Sequence, residues 1–379
     1  EWHARWYAFS AWLLILALLG TKSLVHVKES TIEFRRKIAV KRCIALVFLS
    51  ILTLAPALLF PQHDKLPVTG CHVVATSVYT YIDYNRVEIY SDKEEHRRLT
   101  VQFWYPENIN DTFPVIVFSH GAFGIRSSNL SLFRELASNG YLVCSIDHTY
   151  QCLFSRDVYG RTTFLNREYM REVLNEDAHT KKKQSYAYYG KWMSIRTADI
   201  EFVLDHILTQ ADNPDSNTVY SLVSKKKIGV IGHSLGGSAV LTIGRIRDDI
   251  GAVMALESPY LYDIIGVEND EFVWNEEQFP VPVLNLYSDS SWDNLASWAQ
   301  YRRNAEMLLD TSEYVHNVYL EGAGHFTLTD LALNSPGLTR LLNGHRTTID
   351  PRYCLTMINR IALEFFDYYL KGRGQLSFQ

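Results

Sequence analysis

The chain has 379 residues, 47% of them hydrophobic, and a net charge of −5 from 37 basic and 42 acidic side chains. That is enough apolar material for a full core, and it lacks the basic excess of a nucleic-acid binder. Five cysteines (Cys43, Cys71, Cys144, Cys152 and Cys354) form no CxxC pair, so no zinc site is expected. Their odd number defines no disulfide framework, although a Cys71–Cys354 or Cys144–Cys152 bridge is compatible with it. The first residue is Glu1 rather than Met, which fits a segment of a longer protein.

Two stretches near the start, Trp6 to Thr21 and Cys43 to Gln62, carry no charged residue. A helix needs about 20 apolar residues to cross a bilayer, with a lower limit near 17. The second stretch meets that length, and a membrane helix tolerates its Pro56. The first is short, with Trp2, Trp6 and Tyr7 suited to the interfacial belt at its end. Lys22, Lys28, Arg35, Arg36, Lys37, Lys41 and Arg42 lie between them, opposed only by Glu29 and Glu33. The positive-inside rule puts this linker in the cytoplasm and the chain after about residue 63 outside it. A cleavable signal peptide would end in a small-residue site near the N-terminus, a context the second stretch lacks. Residues 1–65 are therefore read as a membrane anchor of two transmembrane helices, and 66–379 as one further domain.

After Gly70 come β-rich segments at His72 to Ile82, Arg86 to Tyr90 and Leu99 to Tyr105. Strands and helices then alternate. Strands are predicted at Pro114–Ser119, Tyr141–Ile146, Lys227–Ile231, Ala252–Leu256, Val281–Tyr287 and Val315–Leu320. Helices are predicted at Leu130–Ser138, Thr197–Leu208, Gly236–Ile246, Leu295–Leu309 and Leu355–Tyr369. The alternation argues for a mostly parallel sheet with helices on both faces. Between Ile146 and Thr197 no clear periodicity shows, and so long a segment suits a lid over a site at about 150–195. The lysine runs at Lys181–Lys183 and Lys225–Lys227 read as solvated surface.

The strongest motif is Gly232-His233-Ser234-Leu235-Gly236-Gly237, set between a strand and a helix. That context is what GxSxG requires: a strained turn lifts the Ser234 hydroxyl, and the helix N-terminus behind it favours negative charge. A serine hydroxyl needs a base to take its proton. His325, in the loop after the last predicted strand, is the candidate. His316 lies within that strand and His345 in a polar loop, where structural or surface roles are expected. The acid that would orient His325 is left open among Glu257, Asp289 and Asp293, all beyond strand ends. An oxyanion hole needs two backbone N–H groups. Leu235 supplies one. The other is expected from Ala122 in Ser119-His120-Gly121-Ala122-Phe123-Gly124, where His120 props the loop.

The segments LTVQFWYP, PVIVFSHGAFG, GHSLGG, ALE and EGAGH resemble the platelet-activating-factor acetylhydrolase group of dienelactone-hydrolase-like α/β hydrolases. The similarity runs from about Leu66 to Leu370, and bacterial members with membrane helices ahead of the domain are similar at the N-terminal end too. The resemblance implies an α/β-hydrolase fold and cofactor-free hydrolysis of short-chain esters, in some members of oxidised or short-acyl phospholipids. It implies an aspartate acid ending the strand after the nucleophile helix. Glu257 stands there, one methylene longer, and is favoured on that ground, with Asp289 the alternative. The reading is a serine esterase in the cell membrane, its catalytic domain extracytoplasmic, with Ser234, Glu257 and His325 as triad and Leu235 and Ala122 as oxyanion donors. No cofactor, metal or nucleic acid is expected; the partners are an ester or phospholipid and the bilayer. The rivals are an acyltransferase with the same triad and a catalytically idle, membrane-tethered binding module.

Overall fold

The structure, a computed structural model, describes residues 4–25, 35–107, 111–213 and 219–378. Helices α1 (Tyr7–Val25) and α2 (Arg36–Leu59) form a hairpin. They are tied by Trp12 Nε1 to Ser50 Oγ at 3.0 Å and by Arg5 to the Phe60 carbonyl at 3.0 Å. Both are long and apolar enough to cross a membrane, and their apolar windows are 0% buried in the fold. Leu14, Leu18, Ile44, Phe48 and Ile51 all lie exposed. A continuous apolar surface of this size is rare where protein meets water. Trp2, Lys28, Glu29 and Glu33 of the expected anchor lie outside the described residues.

The remaining chain builds one eight-stranded sheet. Strands β1 (Val74–Val87) and β2 (His96–Pro106) form an antiparallel ribbon, replacing the three separate segments expected there. Then follow β3 (Phe113–Ser119), α3 (Leu130–Ser138) and β4 (Leu142–Asp147). A small hairpin, β5 (Phe154–Arg156) and β6 (Thr162–Phe164), leads to α4 (Arg167–Asn175) and the long α5 (Lys182–Ala211). Helix α5 thus starts well before Thr197, the expected boundary. Its first half buries Ser185, Tyr189, Trp192 and Met193, a mixed face that blurs an apolar period. Lys182, expected on the surface, is buried beside Glu271.

Next come β7 (Val223–His233), α6 (Leu235–Ile246) and β8 (Ile250–Leu256). A second hairpin, β9 (Ile264–Glu268) and β10 (Glu271–Trp274), precedes β11 (Val283–Ser288). The helix expected over Leu295–Leu309 is reduced to 3₁₀ turns and the short α7 (Arg302–Met307). Strand β12 (Val315–Leu320), the short helices α8 (Leu331–Asn334) and α9 (Pro336–Asn343), and α10 (Pro351–Lys371) complete the chain. All five cysteines are free thiols, so neither candidate bridge forms.

The sheet order is β1-β2-β4-β3-β7-β8-β11-β12, antiparallel across the first three strands and parallel from β4 onward. The interior strands are covered on both faces, so their alternate residues feed two cores. Val115 and Val117 pack with Ile200, Val203 and Ile207 of α5 and Val240 of α6. Ile116 and Phe118 pack with Phe133 of α3 and Phe365 and Phe366 of α10. Continuous apolar runs of this kind are what doubly covered parallel strands need.

The order also places the site. From β3 the chain moves outward to β4, then crosses back through α5 to β7 on the other side of β3. At such a reversal the loops beyond adjacent strand ends diverge and leave a crevice. Ser119 pairs with Gly232, so the SHG loop and the GxSxG turn leave the sheet side by side.

Candidate active site

Ser234 sits between β7 and α6 with φ 53° and ψ −126°, a strained conformation for a residue with a side chain. The flanking glycines are dictated by close approach. A Cβ on Gly232 would stand 2.2 Å from the Gly236 carbonyl oxygen, and one on Gly236 would stand 2.1 Å from that of Ser119. Gly236→Ala is therefore expected to destabilise the fold by at least about 2–3 kcal/mol, since no flexible side chain can yield there. A thermal shift of under one degree would contradict this crowding.

The remaining candidates come from the ends of successive strands. Glu257 follows β8, Asp289 follows β11, and His325 lies beyond β12. One cavity of about 490 Å³ is lined by Ser234, Leu235, Ala122, Glu257 and His325 together. Its other walls include Val173, Glu176, Tyr189 and Trp192 from the segment between β4 and β7. Leu261, Trp298, Phe326 and Leu342 add further apolar surface. No hydrogen bond links Ser234 to the His325 ring, or that ring to Glu257, among the described residues. Such bonds are often long outside the transition-state complex.

The histidine loop is held on three sides. His325 N donates to Ser290 Oγ at 2.9 Å, His233 Nε2 donates to the His325 carbonyl at 3.0 Å, and Phe326 N donates to Asn343 Oδ1 at 2.8 Å. Burial pushes the His325 imidazole down to about 4. The ring is therefore neutral, and able to accept a proton, through the physiological range.

The two candidate acids differ in what they touch. Asp289 Oδ1 accepts from Tyr319 Oη and from Gly322 N, both at 2.8 Å, so its carboxylate pins the turn after β12 and does not line the cavity. Glu257 is 1% exposed and has φ 53°, and neither carboxylate oxygen has a hydrogen-bond partner. Burial raises its pKa from 4.5 to about 7; the nearby Ser288 and Ser291 hydroxyls draw it part of the way back. A buried carboxyl without a partner at a cavity wall is costly to the fold. Asp293 lies in a 3₁₀ turn outside the cavity.

His316 is buried and bonded to Tyr369 Oη at 2.7 Å. His345, in the polar loop before α10, borders the cavity and bonds Ser290 Oγ at 3.0 Å. His120 is fully buried: its Nδ1 donates to the Gly121 carbonyl at 2.7 Å, and its Nε2 accepts from His148 N at 3.3 Å. With Asp147 and Cys152 it forms a cluster of metal-ligand type. Both its ring nitrogens are already engaged, however, and Asp147 is held by Arg126.

Sequence reasoning missed a second serine–histidine–aspartate array. Ser119 Oγ lies 2.8 Å from His148 Nε2, and His148 Nδ1 lies 2.9 Å from Asp199 Oδ2. All three residues are 0% exposed, so no substrate carbonyl can reach Ser119. Burial alone would raise Asp199, but Arg97 and His148 hold it well below the carboxylate range. The array braces the end of β3 and the start of the SHG loop. Ser290, Asn343 and His233 were missed as well, because their roles are contacts between loops that no local pattern encodes.

The family model for platelet-activating factor acetylhydrolase, isoform II, matches residues 97–375. A platelet-activating factor acetylhydrolase of Gallus gallus is 21% identical over 286 residues, covering 69% of this chain and 63% of that protein. A probable 1-alkyl-2-acetylglycerophosphocholine esterase of Arthroderma benhamiae is 25% identical, with 70% and 63% covered. Cutinase 1 of Thermobifida cellulosilytica is 24% identical, with 59% and 64% covered. The chain thus spans less than two thirds of the length of these relatives. The solved ferulic acid esterase from Streptomyces cinnamoneus shares the fold, with a TM-score of 0.59 at 20% identity over 82% of this chain and 94% of that one.

Proposed function

The chain belongs to the platelet-activating factor acetylhydrolase isoform II family, and on that premise we propose that it hydrolyses carboxylic esters through an acyl-enzyme, with short-acyl or oxidised phospholipids as its substrate class. Ser234 Oγ attacks the ester carbonyl carbon while His325 takes its proton. The carbonyl oxygen becomes an oxyanion held by the Leu235 and Ala122 N–H groups. When the intermediate collapses, His325 returns the proton to the leaving alcohol. Water, deprotonated in turn by His325, attacks the acyl carbon, and as the acid leaves His325 returns that proton to Ser234 Oγ. Glu257 orients the ring and stabilises the imidazolium.

The observation that carries this reading is the strained Ser234 sharing one cavity with His325, the unpartnered Glu257 and both oxyanion positions. The apolar cavity wall suits an acyl chain, and the exposed apolar helices α1 and α2 suit a bilayer beside it. A fluorophosphonate probe is expected to label the wild-type chain at one site and to leave Ser234→Ala unlabelled. Equal labelling of the two removes the assignment.

The anchor is proposed to hold the hydrolase domain on the extracytoplasmic side of the cell membrane, as the basic residues at the start of α2 imply. Protease added to intact cells should then cut the domain. Full protection would reverse the orientation.

A further inference from the structure

Oxyanion stabilisation depends on where one peptide points. The Gly121 carbonyl and the Ala122 N–H belong to the same trans peptide, so they point in opposite directions. Whatever holds that carbonyl also aims that N–H. Here the Gly121 carbonyl accepts three donors: His120 Nδ1 at 2.7 Å, Gly124 N at 3.1 Å and Arg196 Nη2 at 3.3 Å. The neighbouring carbonyls are held as well. That of His120 accepts from Arg196 Nη1, and that of Ala122 accepts from Tyr169 Oη at 3.1 Å. Arg196 Nη2 also donates to Tyr169 Oη at 3.4 Å, and Gln151 Oε1 accepts from Arg196 Nε at 2.8 Å.

Arg196 is unusual in its own right. It is 0% exposed, yet among the described residues no carboxylate pairs with it. Asp199, one turn further along α5, is taken by Arg97 and Arg86. A buried cation without a counter-ion is costly to the fold. Its hydrogen bonds go to the SHG loop, to Tyr169 and to Gln151, so the positive charge is spent beside the site. The opposite side of that loop faces the nucleophile: a Cβ on Gly121 would stand 3.3 Å from the Ser234 Cβ.

We propose that Arg196 and Tyr169 are positioning residues for the oxyanion hole: Arg196 holds and polarises the Gly121–Ala122 peptide so that the Ala122 N–H meets the developing oxyanion, and Tyr169 fixes the far side of Ala122 through its carbonyl and the Arg196 guanidinium through its hydroxyl. The inference rests on the ester-hydrolase reading above. Donors on a carbonyl strengthen the N–H of its own peptide, because hydrogen bonds in a chain polarise one another. The guanidinium adds a positive field on the same side in a water-poor setting, where charge acts at longer range. Both residues come from the segment between β4 and β7. Tyr169 lies one turn from Val173 on α4, so the helix that borders the cavity also holds the loop.

The test uses the full-length chain in detergent, with p-nitrophenyl butyrate as substrate. Tyr169→Phe removes only the hydroxyl, and Arg196→Met removes the cation. With KM within about twofold, kcat is expected to fall about tenfold in Tyr169→Phe and about 100-fold in Arg196→Met, against about 10²–10³ for losing an oxyanion donor outright. Arg196→Lys should recover part of that loss. The carbonyl stretch of a ¹³C-labelled acyl-enzyme should move to higher frequency in the variants, because a weaker hydrogen bond leaves more double-bond character. A merely structural role would not move that band. Wild-type kcat and an unshifted band in Tyr169→Phe overturn the proposal, even if Arg196→Met fails to fold. A wild-type chain that turns over no ester and takes no probe overturns the hydrolase reading itself, a separate outcome from active wild type with unaffected variants.

Discussion

Ser234→Ala, His325→Ala and the double variant are expected to hydrolyse a p-nitrophenyl ester at one common residual rate, about 10⁵–10⁶-fold below the wild-type kcat. The equality is the informative part. A serine hydroxyl attacks at neutral pH only if its proton has somewhere to go. With His325 gone, Ser234 is an ordinary alcohol; with Ser234 gone, His325 has nothing to activate. Neither loss can therefore add to the other. What remains comes from the backbone donors and the cavity. Burial keeps the His325 ring neutral through the physiological range, the form that can take the serine proton. Independent, additive losses would show that the two residues do not act as a unit.

The second large effect concerns the acid. Glu257→Gln is expected to lower kcat about 10⁴-fold, since an amide cannot stabilise the imidazolium. Asp289→Asn should cost less than about tenfold. An amide oxygen at that position can still accept from Tyr319 Oη and Gly322 N, so the turn before His325 keeps its shape. The pH dependence separates the two further. In the proposed role Glu257 must be ionised, and burial raises its pKa from 4.5 to about 7. The acid limb of kcat/KM is therefore expected near 7, present in Asp289→Asn and missing in Glu257→Gln.

The same shift has a stability consequence. Between 4.5 and about 7 the folded chain retains a proton on Glu257 that the unfolded chain has lost. Stability then falls as pH rises through that window, and the loss is complete above it. At pH 8 the inactive Glu257→Gln variant should be more stable than wild type, by up to about 3 kcal/mol. A Glu257→Gln melting temperature below wild type at pH 8 would count against the unpartnered carboxylate.

The sequence by itself determined the features that local sterics and periodicity impose. GxSxG between strand and helix is legible because Gly232 and Gly236 each face a backbone oxygen at a distance no Cβ can occupy. Helix α3 and strand β12 match their predicted ranges, since their apolar periods are clean. The uncharged stretches of α1 and α2 were visible for the same reason. Where one period mixes with another, the reading failed. The first half of α5 escapes the apolar period, and the helix expected over Leu295–Leu309 shrinks to 3₁₀ turns and the short α7.

Only the tertiary structure decided what each strand-end residue faces. Glu257 and Asp289 look alike in sequence; the crossing of the chain at β3 and the packing of loops send one carboxylate to the cavity and the other to a turn. Arg196 reads as any helical arginine until the fold sets its guanidinium against the His120 and Gly121 carbonyls of the SHG loop, far away in sequence. Hydrogen bonds between distant loops leave no trace in a local pattern, because their partners are chosen by topology and not by neighbouring residues.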